Sequence, residues 1–127
     1  MYLEMFDGLR GFYARKEGER SSPAFSAAMA LSIMFEINVV SLITIHEFAF
    51  FHSFTFVEWV VNHKVVMVLA GTVIAWLHVA VGKSTGVYYR QGPTQFAGWA
   101  RLWIVYTILT LAGFVASLIL AFLGNQV

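Results

Sequence analysis

Apolar positions recur with one spacing at the start of the chain and with another after it. In residues 1–20, Tyr2, Met5, Phe6, Leu9, Phe12 and Tyr13 stand three and four residues apart. That is helical spacing, so these side chains share one face and the segment predicts an amphipathic helix. From Ala24 to Ile45 the chain is almost wholly apolar, interrupted by Glu36 and Asn38. About 22 residues at ~1.5 Å each cover a hydrocarbon layer of about 30 Å, so this run predicts a membrane span. Ser22 before Pro23 marks its start: a serine suits the cap position, and proline suits the first turn, where its missing N–H costs nothing.

Two further runs follow. Lys64 to Gly82 is a shorter apolar stretch with Trp59 and Lys64 at one end and Trp76 and Lys83 at the other. Leu102 to Leu123 is long again, and Gly124-Asn125 closes it. Between the runs lie two aromatic and polar segments. His46 to His63 interleaves five phenylalanines and Trp59 with His46, Glu47, His52, Glu58 and His63. Val87 to Ala100 carries Tyr88, Tyr89, Arg90, Phe96, Trp99 and the turn pair Gly92-Pro93. Dense aromatics beside polar groups suit the membrane–water boundary. The pattern therefore predicts a single all-α membrane domain of three transmembrane helices. Its parts are an N-terminal interfacial helix (1–22), a first span (23–46), an interfacial loop with a helical turn near Phe56–Asn62 (47–63), a second span (64–82), a second interfacial loop (83–100) and a third span (101–124).

Composition agrees. Apolar residues make up 59% of the 127 and charged residues 12%, against about a quarter charged in soluble domains. The first twenty-two residues hold eight charges, which does not read as a secretory signal. A net charge of +1 leaves no broad basic surface for nucleic acid. The absence of cysteine excludes disulfides, thiolate metal sites and cysteine nucleophiles. Basic residues alternate along the chain. Arg10, Arg15, Lys16 and Arg20 precede the first span, none follows until Lys64, and Lys83, Arg90 and Arg101 surround the second loop. By the positive-inside rule the N-terminus and the second loop are cytoplasmic and the C-terminus lies outside.

Polar residues within the spans carry the candidate chemistry. Glu36 falls near mid-membrane, where an ionised carboxylate costs a few kcal/mol. Such a group is protonated or hydrogen-bonded, either as a proton-relay or ligand-binding carboxyl or as a structural contact that fixes packing. Asn38 stands about 200° further round the helix and faces another neighbour, which suggests a partner subunit or a homo-oligomer. Depth counting puts His78 and Tyr106 at one level, which allows a hydrogen bond between them. It puts Glu36 nearer Thr72 and Ser117, roughly 13 Å from His78 along the membrane normal. Gly71 with Ala75, and Gly113 with Ser117, have the small-xxx-small spacing of close helix packing. No zinc spacing joins His46, His52 and His63, no phosphate-binding glycine loop precedes Lys83-Ser84, and no catalytic constellation is evident.

Two resemblances add expectations. The stretch Trp76-Leu-His78-Val-Ala-Val-Gly82-Lys83 resembles the haem-ligand segment of the cytochrome b anchor subunits of succinate dehydrogenase, although Ser84 stands where a second histidine is usual. That resemblance implies haem b on His78 in a respiratory membrane anchor. Over most of the chain, Ser22-Pro23-Ala24-Phe25-Ser26-Ala27, Leu31-Ser32, Tyr88-Tyr89-Arg90 and Trp103-Ile-Val-Tyr106 resemble a group of uncharacterised bacterial three-span membrane proteins. This implies the bacterial inner membrane and no defined activity. The expected function is that of a non-enzymatic accessory or structural subunit in the lipid bilayer, acting through self-association or a larger membrane complex, with no cofactor or metal. The rivals are a haem or quinone anchor through His78 and an oligomeric proton-coupled transporter through Glu36.

Overall fold

The computed structural model describes residues 1–18, 22–94 and 96–124. Arg20, Ser21 and Asn125, which figure in the sequence pattern as a flanking charge, a helix start and a helix stop, lie outside the described residues. The described chain forms α1 (Tyr2–Glu17), α2 (Pro23–Phe51), α3 (Thr55–Asn62), α4 (Lys64–Ser84) and α5 (Trp99–Gly124), with one 3₁₀ turn at Val87–Tyr89. Among the described residues there is no strand. Helices α2, α4 and α5 are long and apolar enough to cross a membrane, so the architecture is an all-α membrane protein with three spans.

Local chemistry explains where the helices stop. Helix α2 runs on to Phe51 instead of ending at residue 46. His46 and Glu47 are polar but compatible with a helix, so polarity alone does not end it. The break comes at His52, in the left-handed region with φ 48°, whose N–H closes the last turn on the Phe48 carbonyl at 3.2 Å. The Glu47 carboxylate then accepts the Phe56 N–H at 2.9 Å and caps the first turn of α3 from a distance. At the other end of α2, Ser22 holds the cap position and Pro23 the first turn, but the Ser22 side chain makes no capping bond. Its backbone is left-handed, at φ 58°, and only its carbonyl takes part, accepting Phe25 N–H and Ser26 N–H. Ser26 Oγ donates to Glu17 at 3.1 Å and ties the end of α1 to the start of α2.

Helix α2 is the centre of the molecule. It packs on α1, α4 and α5, whereas α4 and α5 hardly touch each other. Small residues make these contacts close. Ala24, Ala27 and Ala28 of α2 are buried against Phe6 and Leu9 of α1. Ala75 and Gly82 are buried in α4, and Thr110 and Ser117 in α5. Gly113 stands 3.9 Å from the Ser41 side chain, measured from where its Cβ would lie.

The aromatic face of α1 is turned into this bundle, not outward to lipid: Phe6 is fully buried and Leu9 nearly so. The reason is a better apolar surface on its own chain, where Gly82 leaves a socket for the Phe6 ring. A Cβ there would stand 2.9 Å from Phe6 Cζ. Gly8 likewise lies flat under the Trp99 indole. Tyr2 is level with Phe35 and His78, and Glu17 with Ser26.

Candidate functional site

Two polar sites stand out, one in the middle of the spans and one beneath α1. The first is built on Glu36, near the midpoint of α2. Its Oε2 lies against Gly71 of α4, where a Cβ would be only 2.7 Å away, so glycine makes the room for the carboxylate. Its Oε1 is buried and has no hydrogen-bond partner. Because α4 and α5 splay apart over α2, a cavity of about 470 Å³ opens beside this carboxyl. Ile33, Ile37 and Val40 of α2 form its floor, Met67 and Val68 of α4 one wall and Phe114 of α5 the other. Val60 and Val61 of α3, with Lys64, border it toward the end of the molecule where α3 lies. Glu36 and Lys64 are the polar residues of an otherwise apolar lining, and Glu36 Oε1 itself is closed off within the helix contact.

The second site is a buried ion cluster. Asp7 is fully buried and Arg10 is 1% exposed. Arg10 Nε and Nη2 both donate to Asp7 Oδ1, at 3.0 and 2.9 Å. Arg10 Nη1 donates to the Gly92 carbonyl at 3.2 Å, and Thr94 Oγ1 donates to Asp7 Oδ2 at 2.8 Å. Arg90 adds a second cation 3.6 Å from Oδ2 and lies over the Phe96 ring. Gly11 lets the chain pass close, since a Cβ there would meet the Thr94 nitrogen at 3.0 Å. Each of the three Arg10 guanidinium nitrogens donates to a fixed acceptor, so the cluster is a clamp that pins α1 to the segment between α4 and α5.

His78 is joined to α1. Its Nδ1 is 2.7 Å from the Tyr2 hydroxyl, and the two rings stack at 5.5 Å. The bond to Tyr106 that depth counting allowed is not formed, and the Tyr106 ring lies beside Trp103. Depth counting across the spans could not foresee Tyr2, because the N-terminal helix was expected in the headgroup layer. Burial pushes the Tyr2 phenol up to about 12, so it remains a neutral hydroxyl at physiological pH. His78 Nε2 is buried and has no hydrogen-bond partner. Glu36, opposite Gly71, stands about 10 Å from the His78 level, close to the depth expected. Asn38 is half-buried, on a different face of α2 from Glu36.

The remaining histidines are exposed. His46 packs on Phe50, His52 on Phe48, and His63 stacks on Trp59 while bonding the Trp59 carbonyl at 2.8 Å. Among the described residues no group of three His, Cys, Asp or Glu side chains gathers to hold a metal ion.

The ion clamp was not foreseen. Its one local sign is the three-residue spacing of Asp7 and Arg10, which places both on one helix face. The rest of the cluster is more than eighty residues away in sequence. Comparison with protein-family models, with curated proteins and with solved structures finds no match to this chain in any of the three.

Proposed function

We propose that the chain is a non-enzymatic membrane component that works by association, as an accessory or structural subunit in a bacterial inner membrane. The observation that carries this reading is the incomplete bundle: α4 and α5 each pack on α2 and hardly on each other. The faces turned away from α2 hold Leu69, Val73 and Leu77 on α4 and Ile108 and Leu118 on α5, all exposed. A second copy or another membrane subunit would complete the packing that this chain leaves open. The basic residues of the α1 end, Arg15, Lys16, Lys83 and Arg90, support a cytoplasmic N-terminus and an outer C-terminus. The test is native mass spectrometry from membrane nanodiscs. The reading expects an assembly heavier than one 14.2 kDa chain. A monodisperse monomer in both mild detergent and nanodiscs rejects it.

A second reading is a haem-bearing anchor through His78. It is favoured by one detail: Nδ1 is held by Tyr2 while Nε2 has no partner. With Nδ1 as the protonated nitrogen, Nε2 would keep a lone pair with which His78 could hold a haem iron. Haem-supplemented expression decides it: a Soret band lost in His78→Ala supports the reading, and a colourless protein removes it.

A further inference from the structure

We propose that two copies of this chain pair along the α3-side half of α2, about a two-fold axis normal to the membrane, with their Asn38 amides bonded to each other. One seam of alternating three- and four-residue steps runs the length of α2, the spacing of two helices that pack side by side. Ala24, Ala28 and Leu31 are its first positions, and all three lie in the buried core beneath α1. Phe35 stands at the level of Tyr2, where α1 begins. Past that level the seam continues through Asn38, Leu42, Ile45 and Ala49, and α1 no longer covers it. Leu42 is 67% exposed and Ala49 is exposed, with Asn38 and Ile45 half-buried. This face continues an interface that the chain already uses.

The Asn38 amide identifies the partner. It lies near the midpoint of α2, at a depth where lipid offers neither donor nor acceptor. Among the described residues its side chain makes no hydrogen bond, and neither of its polar atoms is closed off, unlike Glu36 Oε1 and His78 Nε2. An amide carries two N–H donors and a carbonyl acceptor, so two amides satisfy each other. A different partner helix would need a polar group of its own at this depth. A second copy inserted the same way brings one there by symmetry, because a two-fold axis along the normal sets equal residues at equal depth. One asparagine in an apolar seam also fixes register and the number of helices. The exposed Thr72 of α4 makes no such demand, since its hydroxyl already donates to the Val68 carbonyl at 2.8 Å. The inference rests on the reading that the chain works by association, and it names the partner and the face.

The test uses the full chain in liposomes. The native chain has no cysteine, so each introduced thiol links only to its own copy. Oxidised with copper phenanthroline, Leu42→Cys is expected to give a disulfide-linked dimer, and Leu69→Cys on α4 and Ile108→Cys on α5 are expected to stay single. Energy transfer between copies labelled at Ser84→Cys, followed as lipid is added, gives the dimer affinity. Asn38→Leu should weaken it about tenfold, the factor carried by about 1.4 kcal/mol, and Asn38→Gln, which keeps an amide, should recover most of that. An oligomer without the Leu42→Cys link overturns this interface and leaves association standing. A monomer at every dilution overturns both. Equal affinity in Asn38→Leu and the native chain removes the amide pair and with it the inference. The Leu42→Cys link is read with Asn38 in place, so a folding defect in Asn38→Leu cannot mimic success.

Discussion

Asp7 and Arg10 are a buried pair, and breaking such a pair leaves a charge without its partner at a cost of about 3–5 kcal/mol. Asp7→Ala should therefore lower unfolding stability by that order in denaturant titration from mixed micelles. Replacing both partners at once, Asp7→Leu with Arg10→Met, should restore most of the loss, because an apolar pair of similar volume avoids the buried charge. Tyr2 gives a pH signature. Its pKa is 10.0 when exposed and about 12 when folded, so between these values the unfolded chain loses a proton that the folded chain keeps. Stability should be unaffected by this group below pH 10 and should fall as pH rises toward 12. Tyr2→Phe should flatten that part of the curve. The sequence singles out Glu36 as a lone carboxyl in a long apolar run, equally as a ligand-binding group or as a packing contact. It did not make the clamp legible: Asp7 meets Arg90 and Thr94 only through tertiary folding.

At the scale of elements, α1 is the informative helix. Its aromatic spacing was readable, but spacing names a face without naming what covers it. The cover is supplied by Gly82 and by the alanines of α2, and small residues give little signal on their own in an apolar run. Gly8 provides a sharp test, since an added methyl would land within the Trp99 ring. Gly8→Ala should cost about 1–3 kcal/mol and expose the end of α1 to limited proteolysis. Phe12→Ala, on a side chain already 41% exposed, should change cleavage little. The second lesson concerns helix ends. The sequence pattern ends the first span five residues before α2 ends, because polar and aromatic residues suit a loop as well as a helix. The helix ends at the left-handed residue His52, a backbone feature that composition does not encode.

For the whole molecule, three spans follow from length and hydropathy, but their arrangement does not. Each span is apolar all round, so none shows a polar stripe that would identify its neighbours. The central place of α2 emerges only from packing, and with it the splayed α4 and α5 and the cavity beside Glu36. Everything proposed about function depends on that bundle standing upright in a bilayer. Cysteine accessibility tests this directly, because the native chain has no cysteine and each introduced thiol reports alone. Asn62→Cys, Ser84→Cys and Ile108→Cys place one thiol at the α3 end, one at the α1 end and one in mid-span. With a membrane-impermeant maleimide on sealed cells and inverted vesicles, Asn62→Cys should react only from outside and Ser84→Cys only from the cytoplasmic side. Ile108→Cys should react from neither until the membrane is dissolved. Labelling of Asn62→Cys and Ser84→Cys from the same side, or free labelling of Ile108→Cys in intact membranes, would contradict the three-span bundle.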